Sequence, residues 1–117
     1  MKKIIIAADQ DFDNYIHLKM YMDLNITKIN PDYVTEVITE KETKAGELAR
    51  EYAYEQCFPE TSFEVNTAAY GSRANILRNE EMVDYADAVI IFTNKEKEPH
   101  LLTLAKRKNK EYYVVNY

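Results

Sequence analysis

Residues Tyr70 to Phe92 read YGSRANILRNEEMVDYADAVIIF. A polar opening gives way to apolar residues at helical spacing, and these run into an unbroken apolar segment, Ala88 to Thr93 (AVIIFT). Loop, amphipathic helix and doubly buried strand, in that order, form the repeating unit of an α/β fold. The spacing assigns Ile76, Leu77, Met82 and Ala86 to the core-facing stripe of the helix, and it puts Arg73, Arg78 and Asn79 in its first turns. A helix start has unpaired backbone N–H groups and the positive end of the dipole, which suits an anion. Two arginines near such an end point to a ligand carrying phosphate or carboxylate.

The same alternation extends on both sides. Lys3 to Ala8 (KIIIAA) and Val34 to Thr39 (VTEVIT) read as earlier strands, Phe63 to Val65 as a third, and Glu111 to Asn116 (EYYVVN) as the last. Tyr15, Leu18, Met20, Tyr21, Met22 and Leu24 mark a helix that ends before Pro31. Ala45 to Glu55 reads as a helix with Leu48, Ala49, Tyr52 and Ala53 inward, and Pro99 opens one lined by Leu101, Leu102, Leu104 and Ala105. Five strands alternating with four helices predict one Rossmann-like α/β domain over residues 1–117. Its sheet is expected to be mainly parallel, with helices on both faces and right-handed crossovers.

Composition narrows the function. With 46% hydrophobic and 30% charged residues in 117, the chain is a globular domain able to bury a core. A net charge of -5 lacks the basic footprint that nucleic-acid binding needs. The opening MKKIIIAADQDF is too short an apolar run for a signal peptide or membrane span, so a cytoplasmic location is expected. Cys57 is the single cysteine and reads as an ordinary thiol near a helix end; with two histidines it makes no zinc spacing, and neither metal nor cofactor is expected. Asp9, Asp11 and Asp13 alternate on one loop but lack the glycine and distal glutamate of a calcium loop, so capping of the first helix is the simpler reading. His17 and His100 have no ligand-like partner nearby in sequence.

Arg78-Asn79-x-x-Met82, followed by Tyr85-Ala86-Asp87-Ala88-Val89-Ile90 and the strand end, resembles the YspA-like branch of the SLOG superfamily. Those are small Rossmann-like proteins associated with nucleotide-derived ligands, and relatives in the superfamily include cytokinin-activating phosphoribohydrolases. The resemblance spans essentially the whole chain, and it departs where the ligand would lie. After the first strand the family reads Gly-Ser-Arg-Asp-Phe; here stand Ala8-Asp9-Gln10-Asp11-Phe12. After the second it reads Ser-Gly-Gly-Ala-Arg-Gly-Ala-Asp; here stand Thr39-Glu40-Lys41-Glu42-Thr43-Lys44-Ala45-Gly46. Tyr70-Gly71 is kept, while Asn75 replaces a glycine and is expected to preserve its left-handed turn. After the fourth strand, Asn94 to Pro99 has neither the hydrolases' Pro-Gly-Gly-x-Gly-Thr and glutamate nor the branch's Gly-Thr pair. Only two glycines occur in the chain, against about 7% in ordinary proteins, so close backbone approach to a phosphate is largely lost.

The resemblance implies a ligand crevice at the carboxyl ends of the strands, with Arg78, Asn79, Tyr70, Gly71, Arg73, Asp9, Gln10, Asp11, Thr39, Lys41 and Lys44 as candidate binding residues. Arg78 either grips a phosphate or pairs with Glu80, Glu81 or Asp84 along its helix. Arg73 is either solvated or a second anion contact, Asn79 holds a neighbouring loop or a ligand, and Tyr70 stacks on a base or packs. Lys41 or Lys44 is the available substitute for the lost glycine contacts. Three functions follow. The first is non-catalytic binding of a nucleotide-derived small molecule by a sensor or sequestering protein, such as one with which a virus blunts a nucleotide-triggered defence. The second is a protein-interaction or inhibitor module with a vestigial site, and the third a residual nucleoside-monophosphate phosphoribohydrolase. Ten tyrosines also suit an interface, so a homodimer or larger homo-oligomer is expected if they form a patch.

Overall fold

Each apolar strand of the chain buries alternate residues on opposite faces of one sheet. In the computed structural model, which describes residues 1–32 and 35–117, the elements are β1 (Lys2–Ala8), α1 (Tyr15–Ile29), β2 (Thr35–Glu40), α2 (Lys44–Gln56) and β3 (Glu60–Phe63). They continue with the short helix α3 (Thr67–Tyr70), a 3-10 turn (Gly71–Arg73), α4 (Ala74–Tyr85), β4 (Ala88–Thr93), α5 (His100–Arg107) and β5 (Glu111–Asn116). Strand order is β3-β2-β1-β4-β5, and every ladder is parallel. Ile4 and Ile6 of β1 join Val37, Ile90 and Phe92 beneath α1 and α2. Ile5 and Ala7 join Ile38, Val89 and Ile91 beneath α4 and α5. Burial on both faces is why these strands show no polar alternation. The radius of gyration, 13.3 Å, is that of a single domain, for which about 13 Å is expected at this length.

The inward residues expected on α2 and α5 are all buried. The expected start of the second strand at Val34 lies outside the described residues. β3 begins earlier than the sequence suggests, at Glu60, which pairs with Val37; Val65 instead donates its amide to the Glu42 carboxylate at 3.1 Å and leaves the ladder. Helix α3 is an addition, capped where the Asn66 side chain accepts from the Ala69 amide and ended by Gly71 at φ 56°. Two helix faces differ from expectation. In α4 the buried set is Ala74, Arg78, Met82 and Val83, while Ile76 is 45% exposed because it lies across the helix from Arg78. In α1 Leu18, Met22 and Ile29 are buried, whereas Met20 and Leu24 face away from the sheet. Among the described residues no helix is long and apolar enough to cross a membrane.

Gly46 fixes how α2 meets β2. Thr43 caps the helix by accepting from the Gly46 amide at 2.9 Å, and a Cβ at position 46 would stand 1.7 Å from the Glu40 carbonyl oxygen. The first turn of α2 is thus pressed against the end of β2, and only glycine fits. Gly46→Ala is expected to lower stability by about 3 kcal/mol or more, the upper end for overpacking, read as a fall in the urea midpoint. An unchanged midpoint would contradict this packing.

Candidate functional site

Strand order reverses between β1 and β4, so the crevice of an open parallel sheet is expected beyond their carboxyl ends. A cleft of about 540 Å³ opens beside that point, lined by Ala8, Asp9, Gln10, Glu40, Glu42, Thr43, Lys44, Ala45, Asn75, Arg78 and Asn79. Its walls come from the turn after β1, the loop between β2 and α2, and the first two turns of α4.

Arg78 forms the inner wall and is 6% exposed. Its guanidinium does not ion-pair along its own helix. Nη2 donates to Glu40 Oε2 at 3.0 Å, Nη1 to the Phe63 carbonyl at 3.3 Å and to Glu42 Oε1, and Nε to Asn79 Oδ1 at 2.9 Å. Glu80, Glu81 and Asp84, on its own helix, are not these partners. Burial pushes the Glu40 carboxyl above its ordinary 4.5, opposed by the charge of Arg78. Glu42 is more open; desolvation there is outweighed by hydrogen bonds from the Val65 amide and Arg78, which draw its carboxyl below 4.5. Asn79 also contacts His100 Nδ1 through Nδ2 at 3.1 Å, linking α4 to the start of α5.

A second set of bonds crosses the switch point itself. The Asp9 carboxylate accepts from the Asn94 amide at 2.8 Å, the Thr93 hydroxyl at 3.1 Å and the Tyr117 hydroxyl at 3.3 Å. Asp11 meets Lys95 at 3.1 Å and Tyr117 at 2.9 Å, contacts that lower its carboxyl from 3.8. The capping role expected of these aspartates falls instead to Asn14, whose Oδ1 accepts from the His17 amide at 3.0 Å. The acids are spent stitching the first loop to the fourth. Among the described residues no group of three or more His, Cys, Asp or Glu side chains could hold a metal ion.

The remaining sequence candidates separate. Gln10, Lys44 and Asp9 line the cleft with Arg78 and Asn79. Asp11 adjoins a neighbouring hollow with Gln10 and Lys95. Tyr70 lies on the other side of Arg78, in a smaller hollow of about 260 Å³ with Glu64, Asn66, Ala74, Leu77 and Glu81. Gly71 and Arg73 are exposed on the turn that precedes α4. Thr39 is fully buried, bonded to Ser62 at 2.9 Å and to Arg50 at 3.3 Å. Lys41 meets Glu64 at 3.3 Å, and Lys44 meets Glu47 at 3.6 Å and Asp13 at 3.8 Å, so each lysine has an acidic neighbour of its own. Asn75 is helical, not left-handed; Gly71, Cys57 and Asn109 are the described residues with positive φ. Exposed, it lines the cleft.

Glu40, Glu42 and Tyr117 are the site residues the sequence did not single out. Glu40 closes β2 and Glu42 follows two residues on, and that pairing of acids at a strand end is the signal available for them. Tyr117 lies 108 residues from its partner Asp9 and left no local signal. The chain matches no protein-family model, no curated protein and no solved structure.

Arg78→Met leaves Glu40 buried without its cation. The variant is expected to lose about 3 to 5 kcal/mol near neutral pH. The deficit should narrow as pH falls through 4.5, the ordinary glutamate value. Below it Glu40 is protonated in folded and unfolded chains alike, while the parent chain loses what Glu42, with its lowered carboxyl, contributed above it. Urea unfolding of both proteins between about pH 7 and about pH 4 reads the difference; a deficit that stays constant across that range would contradict the ion-pair account.

Proposed function

We propose that this chain binds a nucleotide-derived small molecule without turning it over, and that the cleft grips its nucleoside part, not its phosphates. The observation that carries this reading is the state of Arg78: both Nη atoms and Nε already donate inside the protein, so no free guanidinium fork faces the cleft. Asp9, Glu40 and Glu42 outnumber Lys44 and Arg78 in the wall, and unit charges of like sign at contact range repel a phosphate. At the starts of α1 and α2 the caps Asn14 and Thr43 each take one of the amides an anion would use. What the wall offers is acceptors and amides. Carboxylate lone pairs of Glu40 and Glu42 suit the hydroxyls of a ribose, and the amides of Gln10 and Asn75 suit the edge of a base.

Binding without chemistry fits the same bonds. Glycosidic cleavage needs an acid to protonate the leaving base or a carboxylate to meet the sugar cation. Glu40 is tied to Arg78, Glu42 to Arg78 and the Val65 amide, and Asp9 to Thr93 and Asn94. A rigid acceptor-rich cleft suits a sensor or a sequestering protein, for which affinity without turnover is enough.

The test is thermal melting with adenosine, guanosine, cytidine, uridine and their 5′-monophosphates, followed by chromatography of the recovered ligand. A nucleoside at 100 times its dissociation constant adds about 2.7 kcal/mol. At least one nucleoside is expected to raise Tm, its monophosphate to raise it less, and both to be recovered intact. Asn75→Phe, an exposed position whose larger side chain fills the cleft, should abolish the shift and leave the ligand-free Tm in place. A larger shift with the monophosphate would contradict the nucleoside reading, released base would make the chain an enzyme, and no shift with any of the eight would remove the reading.

A further inference from the structure

Helix α1 is apolar on both sides, which an outer helix of an α/β domain does not need. Leu18, Met22 and Ile29 face the sheet, and directly opposite them Ile16, Met20 and Leu24 are 69%, 59% and 70% exposed. Spaced four residues apart, the three form one continuous ridge along the helix. The outward positions of α2 include Glu47, Glu51 and Glu55, and those of α5 include Lys106 and Arg107, the ordinary pattern of a solvated face. A continuous apolar ridge on the outward side of a helix is the mark of a contact surface. The exposed tyrosines do not supply that patch: Tyr54, Tyr70, Tyr85 and Tyr112 stand on α2, α3, α4 and β5 respectively, and Tyr117 follows β5.

We propose that α1 packs antiparallel against α1 of a second copy of this chain, about a twofold axis at Met20. The ridge is its own complement: Ile16 and Leu24 lie equally far on either side of Met20, so under that axis Met20 meets its equivalent and Ile16 meets Leu24. Charge decides the direction. Asp13 precedes the helix with its side chain 71% exposed, and Lys28 sits exposed in the last turn. Antiparallel pairing brings the Lys28 of each copy toward the Asp13 of the other, whereas parallel pairing would bring like charges together. Beside the ridge, Lys19 stands between Asp23 at 3.5 Å and Glu55 at 3.6 Å, so its charge is met within the chain. Three side chains per copy make a patch well under the roughly 800 Å² per partner of a standard interface. The dimer is therefore weak and concentration-dependent, and it does not rest on what the cleft binds.

The test uses the full chain with Cys57→Ser, so that introduced cysteines are the only ones. Helix axes about 8 to 10 Å apart bring facing Cα atoms within disulfide reach. Under mild oxidation Met20→Cys is expected to link to itself, and Ile16→Cys and Leu24→Cys to link when mixed but far less when each is alone. In sedimentation at about 1 mM protein, the regime of a weak complex, the parent chain should show dimer and Met20→Glu at least tenfold less. Self-linking of Ile16→Cys as efficient as that of Met20→Cys overturns the antiparallel axis. A parent chain that is monomeric throughout, with no Met20→Cys link, overturns the dimer and leaves the ridge to a different partner.

Discussion

Arg78 leaves α4 and ends among groups from three other places in the chain: Glu40 at the end of β2, Glu42 in the loop beyond it, and the Phe63 carbonyl at the end of β3. Through Asn79 the same cluster reaches His100 at the start of α5. A buried cation between two carboxylates is weak evidence for net stability, because desolvation of all three charges offsets most of their attraction. Its effect is on geometry. With each donor assigned to a different segment, the loop after β2, the end of β3 and the first turns of α4 have one relative position that satisfies them all. The wall of the cleft is set by that requirement.

The Asp9 cluster does for the other half of the crevice what Arg78 does for the first. Parallel strands β1 and β4 diverge into separate loops at the switch point, and without cross-links those loops would be free to part. Asp9 accepts from both Thr93 and Asn94, and Tyr117 brings the end of the chain onto the same carboxylates. Phe12 and Phe92 stack beneath this roof with Tyr117 edge-on, their centroids 5.1 Å and 4.9 Å from that of Phe12. Where phosphate-binding members of such folds hold an anion with glycine-rich backbone, this chain has filled the space with its own carboxylates and their donors.

The architecture was legible because it is written in local pattern. Continuously apolar runs named β1 and β4, and the inward faces of α2 and α5 followed from spacing alone. Faces failed where an exposed apolar residue mimicked a core one, as with Ile76 on α4 and with Met20 and Leu24 on α1. Spacing tells which residues share a side of a helix, not whether that side meets the sheet. The site was legible only as an assembly of loops. Arg78 was singled out, but its partners Glu40 and Glu42 lie 38 and 36 residues away, and no local pattern chooses them over Glu81 or Asp84. Asn75 shows a milder version: its side chain tolerates a left-handed turn, yet the 3-10 turn ending at Arg73 lets α4 begin before it.

The central claim is that Arg78 belongs to the protein and not to a ligand's phosphate. It is tested most directly by nitrogen-proton NMR of the Arg78 side chain, identified by its loss in Arg78→Lys. A guanidinium locked among Glu40, Glu42 and Asn79 should show an Nε–H that exchanges slowly with water and does not move when inorganic phosphate is added. An Nε–H that exchanges freely, or that shifts on titration with phosphate, would show a donor available to an anion and would contradict the account.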